Sequence, residues 1–222
     1  MELDQRKAKR HRGGMDDPWM IIIGAAAAGY VLKLWLEDYR TGLAGKPHPK
    51  ALPGATPAGW GLALIGIIGA LLLVAAETAG EYALGVSAEQ TNITWLFLAG
   101  MVAAGFIEEV VFRGFFVVDK KGRAALLGSI VGFSLLFALL HYQYYLEWPE
   151  EDSGWLEFTV VLNAKSFWTL LILVFNSLWF YYLRFMPRNR QRSLLPCFAA
   201  HVSSNLGVFI IKLAQGHVTA LY

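Results

Sequence analysis

Glu108, Glu109 and Arg113 stand in the run Ile107-Glu108-Glu109-Val110-Val111-Phe112-Arg113-Gly114, inside a segment otherwise apolar from Ile93 to Val118. A charge at the centre of a membrane helix costs roughly 2.5–3.5 kcal/mol, so charges kept there mark a functional site by default. On a helix Glu109 and Arg113, at i and i+4, share one face with the acid N-terminal, the order that favours an ion pair. Glu108 points about 100° away and is left without a local partner.

Two further polar pairs interrupt apolar runs. Phe137 lies one turn below His141, where it can buttress the imidazole; His201 and Asn205, at the same spacing, present one polar edge with donors for a common atom. With a rise of about 1.5 Å per residue, Glu108 falls roughly 15 Å, His201 roughly 12 Å and Asn205 roughly 18 Å from one face of the bundle. His141 comes out nearer about 25 Å, which helix tilt shortens. The groups can therefore share a layer between three helices. A carboxylate and an imidazole to deprotonate a water, beside donors for the oxyanion that follows, are the equipment of peptide hydrolysis without a serine, cysteine or aspartate pair.

The elements that position these groups are membrane helices. The chain has 222 residues, 56% hydrophobic and 16% charged, against about 25% charged in soluble domains. Its mean hydropathy is +0.44. The expected fold is all-α: a polytopic bundle of about six transmembrane helices, with the site between helices three, four and six. A net charge of +2, with basic residues at segment ends and no aromatic-interleaved patch, excludes a nucleic-acid partner. Cys197 stands alone, so neither an internal disulfide nor a multi-cysteine metal site is available, and it reads as a packing residue.

In chain order, residues 1–17 form a polar, basic tail that ends in Asp16-Asp17-Pro18, and residues 18–222 form a single membrane domain. Spans are expected at 18–36, 58–76, 93–118, 124–141, 167–185 and 194–213. Glycines 59, 61, 66 and 69 suit close packing of the second span. Residues 77–91 read as an acidic connection, and the short 119–123 loop makes helices three and four antiparallel neighbours. The acidic, aromatic stretch after His141, with Trp148, Glu150, Glu151, Asp152 and Trp155, reads as an interfacial segment or a lid. Trp168, Trp179, Tyr181 and Tyr182 fall where interfacial belts would stand. The loops after spans one, three and five carry almost all the connecting Lys and Arg, while those after two and four hold only Lys165. That asymmetry conflicts with the basic tail, which the same topology puts on the opposite side; a start at Met15 would remove the conflict.

Glu-Glu-x-x-x-Arg at 108–113, Phe-x-x-x-His at 137–141 and His-x-x-x-Asn at 201–205, in that order on successive apolar helices, resemble the type II CAAX prenyl endopeptidase and bacteriocin-processing family, also called CPBP or Abi, of intramembrane glutamic endopeptidases. The resemblance covers about residues 90–213. It implies that Glu108 is the catalytic base acting with His141 on water, that His201 and Asn205 form the oxyanion hole, and that Glu109 and Arg113 are a site-shaping ion pair with Phe137 in support. It implies no cofactor and no metal. The implied partners are membrane lipid and a peptide or protein substrate, lipidated or membrane-anchored. The implied location is the cytoplasmic membrane of a prokaryote, or the endoplasmic reticulum membrane in a eukaryote. Unlike the short glycine-rich hairpin usual in the family, the linker between the second and third motifs is long, aromatic and acidic.

Other classes of function use the same residue types. Intramembrane carboxylates and histidines also build proton-coupled carriers, and an immunity or adaptor protein can keep such a cluster without turnover. Glu108, His141 and His201 are also zinc-ligand types, but the chain has no His-Glu-x-x-His run, which ranks metal-dependent hydrolysis below the glutamate mechanism. His11, His48 and His217 lie in tails or loops and read as solvated.

Overall fold

A computed structural model of the chain describes residues 18–147 and 158–221. The basic tail and the stretch from Trp148 to Glu157, read above as an interfacial segment or lid, lie outside the described residues. Six helices are long and apolar enough to cross a membrane. They are α1 (Pro18–Leu43), α2 (Trp60–Ala83), α3 (Trp95–Glu108, continued by a π-helical turn over Glu109–Phe115), α4 (Arg123–Leu140), α5 (Ala164–Phe185) and α6 (Leu195–Ala214). Large apolar side chains such as Ile68, Leu72, Phe167 and Ile210 stay exposed on their outer faces, the distribution that a hydrocarbon surround permits and water does not.

Helix boundaries follow local chemistry. Thr94 caps α3 by accepting from the Phe97 amide at 3.2 Å, and Asn163 with Ser166 forms a reciprocal capping box at the start of α5. Pro196 occupies the first turn of α6, where its missing N–H costs nothing. Gly122 precedes α4 at φ 91°, a conformation open to glycine.

Two helices run further than hydropathy suggests. The first continues through Glu37, Asp38 and Arg40 to Leu43, and the second continues through Glu77 and Glu81 to Ala83. Residues 77–83 are therefore helix and not connection: Glu81 is buried and paired with Lys165 of α5, and accepts from Gln90 Nε2 at 2.7 Å. An internal partner lets an acidic residue stay in a bundle that hydropathy alone would expel it from.

The core forms around Trp35, Ala70, Phe106, Val110, Phe180, Leu183, Leu194, Cys197 and Ala200. Helix α2 packs on α6 and α5, α3 on α1 and α6, and α4 on α5. Sequential helices three and four meet through rings rather than by close backbone packing: Phe112 against Phe137 and Phe116 against Phe133, each pair with centroids 5.1 Å apart. The aromatic residues of α5 are cross-helix pins more than a belt. Trp168 Nε1 donates to Glu77 O at 3.0 Å, Trp179 Nε1 to Gly66 O at 3.3 Å, and the buried Tyr181 hydroxyl lies 2.8 Å from both Phe112 O and Phe116 O. That last contact serves carbonyls at the widened end of α3, where the Phe116 amide reaches back five residues to Val111 O.

Short strands tie the bundle ends. β1 (Ile93–Thr94) pairs in parallel with β4 (Val218–Ala220), which clips the segment after α6 to the start of α3. β2 (Leu146–Glu147) pairs antiparallel with β3 (Thr159–Val160) between α4 and α5.

Candidate active site

The change from α to π geometry falls between the two glutamates. Glu108 ends the regular helix, and Glu109 opens the π turn. A π turn inserts one extra residue per hydrogen-bonded loop and is frequent at functional sites. Glu109 and Arg113 are fully buried, with Arg113 Nη1 3.1 Å from Glu109 Oε1. The Arg113 guanidinium makes no hydrogen bond among the described residues. Instead its carbon lies over the rings of Phe137 at 4.7 Å, Phe180 and Tyr181 at 5.0 Å, and Phe112 at 5.7 Å. Ring quadrupoles thus hold a desolvated cation where hydrogen-bond acceptors are lacking.

His201 enters from α6 and bridges both acids. Its Nδ1 lies 2.7 Å from Glu109 Oε1 and its Nε2 3.7 Å from Glu108 Oε2. The ring stacks on Phe180 at 4.9 Å, which fixes its plane. One oxygen of Glu109 therefore serves Arg113 and His201 together, a link that the i, i+4 spacing alone did not contain. Glu108, with a side chain 28% exposed, is the more open of the two acids. Asn205, one turn beyond His201, donates from Nδ2 to Met101 O at 2.8 Å. His201 and Asn205 thus line one wall but do not donate to a common protein atom. Gly105 of α3 allows this approach: a Cβ there would sit 3.2 Å from His201 Cδ2 and 3.3 Å from Asn205 Nδ2.

His141 lies just past the end of α4, its Nδ1 2.8 Å from Phe137 O and its ring 4.7 Å from the Phe137 ring. A carbonyl only accepts, so Nδ1 carries the proton and Nε2 is the nitrogen left to exchange one. A cavity of about 110 Å³ joins these groups: His141, His201, Asn205 and Phe137 line it together with Glu77, Thr169, Asn176 and Tyr144. Glu108 borders this space through His201 and does not itself line it.

Glu77, Thr169 and Asn176 were not singled out from sequence. By hydropathy Glu77 falls in a loop, although Glu77 and Glu81 share the helical i, i+4 interval; Asn176 is an isolated amide in an apolar span. Tyr144 is 44% exposed overall, but its phenol group is pushed up to about 12, first by burial, with Glu77 and Glu108 adding and a Gln143 hydrogen bond opposing. No group of three His, Cys, Asp or Glu side chains among the described residues has metal-holding geometry.

Comparison with known proteins gives one family. The family model described as Type II CAAX prenyl endopeptidase Rce1-like matches residues 90–207, more than half of the chain, and all three motifs lie within that range. No curated protein and no solved structure matches. Six membrane-length helices and the family match together make this an integral membrane protein of CAAX-protease type, acting on a membrane-associated peptide or protein. The chain belongs to the type II CAAX prenyl endopeptidase Rce1-like family.

Proposed function

We propose that the chain is a glutamate-dependent intramembrane endopeptidase in which Glu108 and His141 activate a water to attack a peptide carbonyl, while His201 and Asn205 hydrogen-bond the oxyanion. The observation that carries this reading is His201, set between Glu109 at 2.7 Å and Glu108 at 3.7 Å on the wall of the cavity that His141 and Asn205 also line.

Proton bookkeeping follows from these contacts. His141, with Nδ1–H held by Phe137 O, offers Nε2 to accept a proton from the attacking water and return it to the leaving amine. Glu108 supplies the negative charge that favours that transfer. His201 donates from Nδ1 to Glu109, so an oxyanion bond from Nε2 requires a second ring proton. Such an imidazolium, with Arg113, balances Glu108 and Glu109 to a neutral cluster. Asn205 has a second amide proton beyond the one given to Met101 O. Donors held in place in this way are worth most where charge develops in the transition state.

Purified protein in detergent is tested on a membrane-anchored peptide against Glu108→Ala and His141→Ala. The expected result is cleavage by the wild type and at least about a hundredfold loss in each variant. Equal cleavage by all three overturns the reading.

A further inference from the structure

Three polar side chains on the cavity wall, Glu77, Thr169 and Asn176, take no part in the proposed chemistry. Thr169 and Asn176 lie seven residues apart on one face of α5, 4% and 7% exposed. Thr169 Oγ1 and Asn176 Oδ1 make no hydrogen bond among the described residues. Buried polar atoms of this kind cost free energy unless something bonds them, so a pair on one cavity points to an occupant. Glu77 faces the same cavity from α2. Lys165 and Lys212, whose charges act on Glu77, make contact with other acceptors: Lys165 with Glu81, Lys212 with Gln90 Oε1 at 3.0 Å and Thr91 O at 2.8 Å.

The position of Glu77 is fixed by backbone contacts. Trp168, beside Thr169, donates to Glu77 O at 3.0 Å and lies flush on Gly80, where a Cβ would come within 2.2 Å of the indole. The crossing of α2 and α5 therefore holds this wall in place. Glu77 also lies before residue 90, where the family match begins.

A carboxylate, an amide oxygen and a hydroxyl oxygen form an acceptor set. It repels anions and leaves a neutral aliphatic group with unbonded polar atoms against it. A primary ammonium carries N–H donors and one positive charge, which suits a carboxylate set among neutral oxygens, whereas a guanidinium needs a planar fork and more room. The space, about 110 Å³, holds a few water-sized groups at about 30 Å³ each.

We infer that Glu77, Thr169 and Asn176 form a subsite for a primary ammonium, the side chain of a lysine near the scissile bond of the peptide substrate. This rests on the peptidase reading above and adds a specificity element to it.

The test uses the full chain in detergent and two matched peptides differing only in lysine or norleucine beside the cleaved bond. The wild type is expected to show about a tenfold lower KM for the lysine peptide. Glu77→Gln is expected to erase that difference. Asn176→Leu, similar in volume, is expected to narrow the difference in the same way and serves if Glu77→Gln does not fold. In parallel, n-butylammonium is expected to raise the wild-type Tm more than n-butanol does, and the two to act alike on Glu77→Gln. No lysine preference, a preference that survives both substitutions, or equal effects of the two small probes on the wild type overturns the subsite, leaving the cavity as a water-filled space. Failure of the wild type to cut either peptide overturns the peptidase reading instead, and the probe pair still decides the subsite.

Discussion

His201 Nδ1 and Arg113 Nη1 meet on the same oxygen of Glu109, at 2.7 and 3.1 Å, although the two residues stand on helices that are far apart in the sequence. Glu109 is thereby both the counter-ion of a buried guanidinium and the acceptor that orients an imidazole. The second carboxylate oxygen, Oε2, has no hydrogen-bond partner among the described residues, so nearly all the compensation for this buried charge passes through Oε1.

Arg113→Met should therefore leave a buried carboxylate facing only His201. Breaking one side of a buried ion pair costs about 3–5 kcal/mol, whereas replacing both members by apolar groups is often neutral. The single variant is expected to lower the denaturation midpoint strongly, and Glu109→Leu with Arg113→Met to recover most of it. Activity should stay lost in the double variant, because His201 has lost its acceptor. Recovery of cleavage together with stability would show that Glu109 serves only to pair Arg113.

Asn205→Ala separates an oxyanion role from a packing role. Its bond to Met101 O occupies one amide proton, and removal of a single oxyanion donor typically lowers kcat by about 10²–10³. The expected change lies in kcat, with KM nearly constant and Tm lowered only slightly. A large Tm loss with proportionate loss of active protein, and unchanged kcat per folded molecule, would instead assign Asn205 to structure.

The parts legible in the sequence are those set by local spacing. The spans follow from apolar runs, and the pairs Glu109–Arg113 and Phe137–His141 from single-turn intervals. Contacts between helices were not legible in that way. Nothing near His201 in sequence names Glu109 as its acceptor, and nothing near Asn205 names Met101 O. Glu77 and Glu81 read as loop residues because a carboxylate at the end of an apolar run looks solvent-facing, and the lysine that partners Glu81 lies on another helix. The π turn has no composition signal, since Glu109–Phe115 would suit an α-helix; its Phe112 and Phe116 carbonyls are served by Tyr181 of α5.

Tyr144 gives a pH prediction with a definite sign. Its folded phenol is pushed up to about 12 from an ordinary value of 10.0, by burial first and then by Glu77 and Glu108, against a Gln143 hydrogen bond. As pH rises through that window the unfolded chain releases a proton that the folded chain retains, so ionisation draws the equilibrium toward unfolding and stability falls. The Tm of the wild type should drop more steeply above the ordinary tyrosine value than that of Tyr144→Phe. Water at the exposed side of Tyr144 screens part of the effect. Parallel Tm curves would show that the folded phenol titrates like a solvated one.

Gly105 sets how closely α3 approaches the two α6 residues of the site. A Cβ there would lie 3.2 Å from His201 Cδ2, 3.3 Å from Asn205 Nδ2 and 3.4 Å from His201 Cγ. Neither neighbour moves away freely, because His201 is held by Glu109 and stacked on Phe180, and Asn205 is held by Met101 O. Gly105→Ala should therefore push α6 outward by a few tenths of an ångström. The overpacking cost is expected at about 1–3 kcal/mol, partly offset by the better helix propensity of alanine. Small displacements of catalytic groups weigh more heavily on rate than on stability, since a 1 Å misplacement can cost about a hundredfold. The variant should remain folded with a modestly lower Tm, while kcat falls by at least about tenfold and KM changes little. Gly100, on the same helix, offers a control: a Cβ there meets only Ile21 Cγ2 at 3.4 Å and Cγ1 at 3.7 Å, so Gly100→Ala should keep wild-type turnover. Equal kcat losses in the two variants would mean that α3 responds as a whole, and that the close approach at Gly105 has no special bearing on the site.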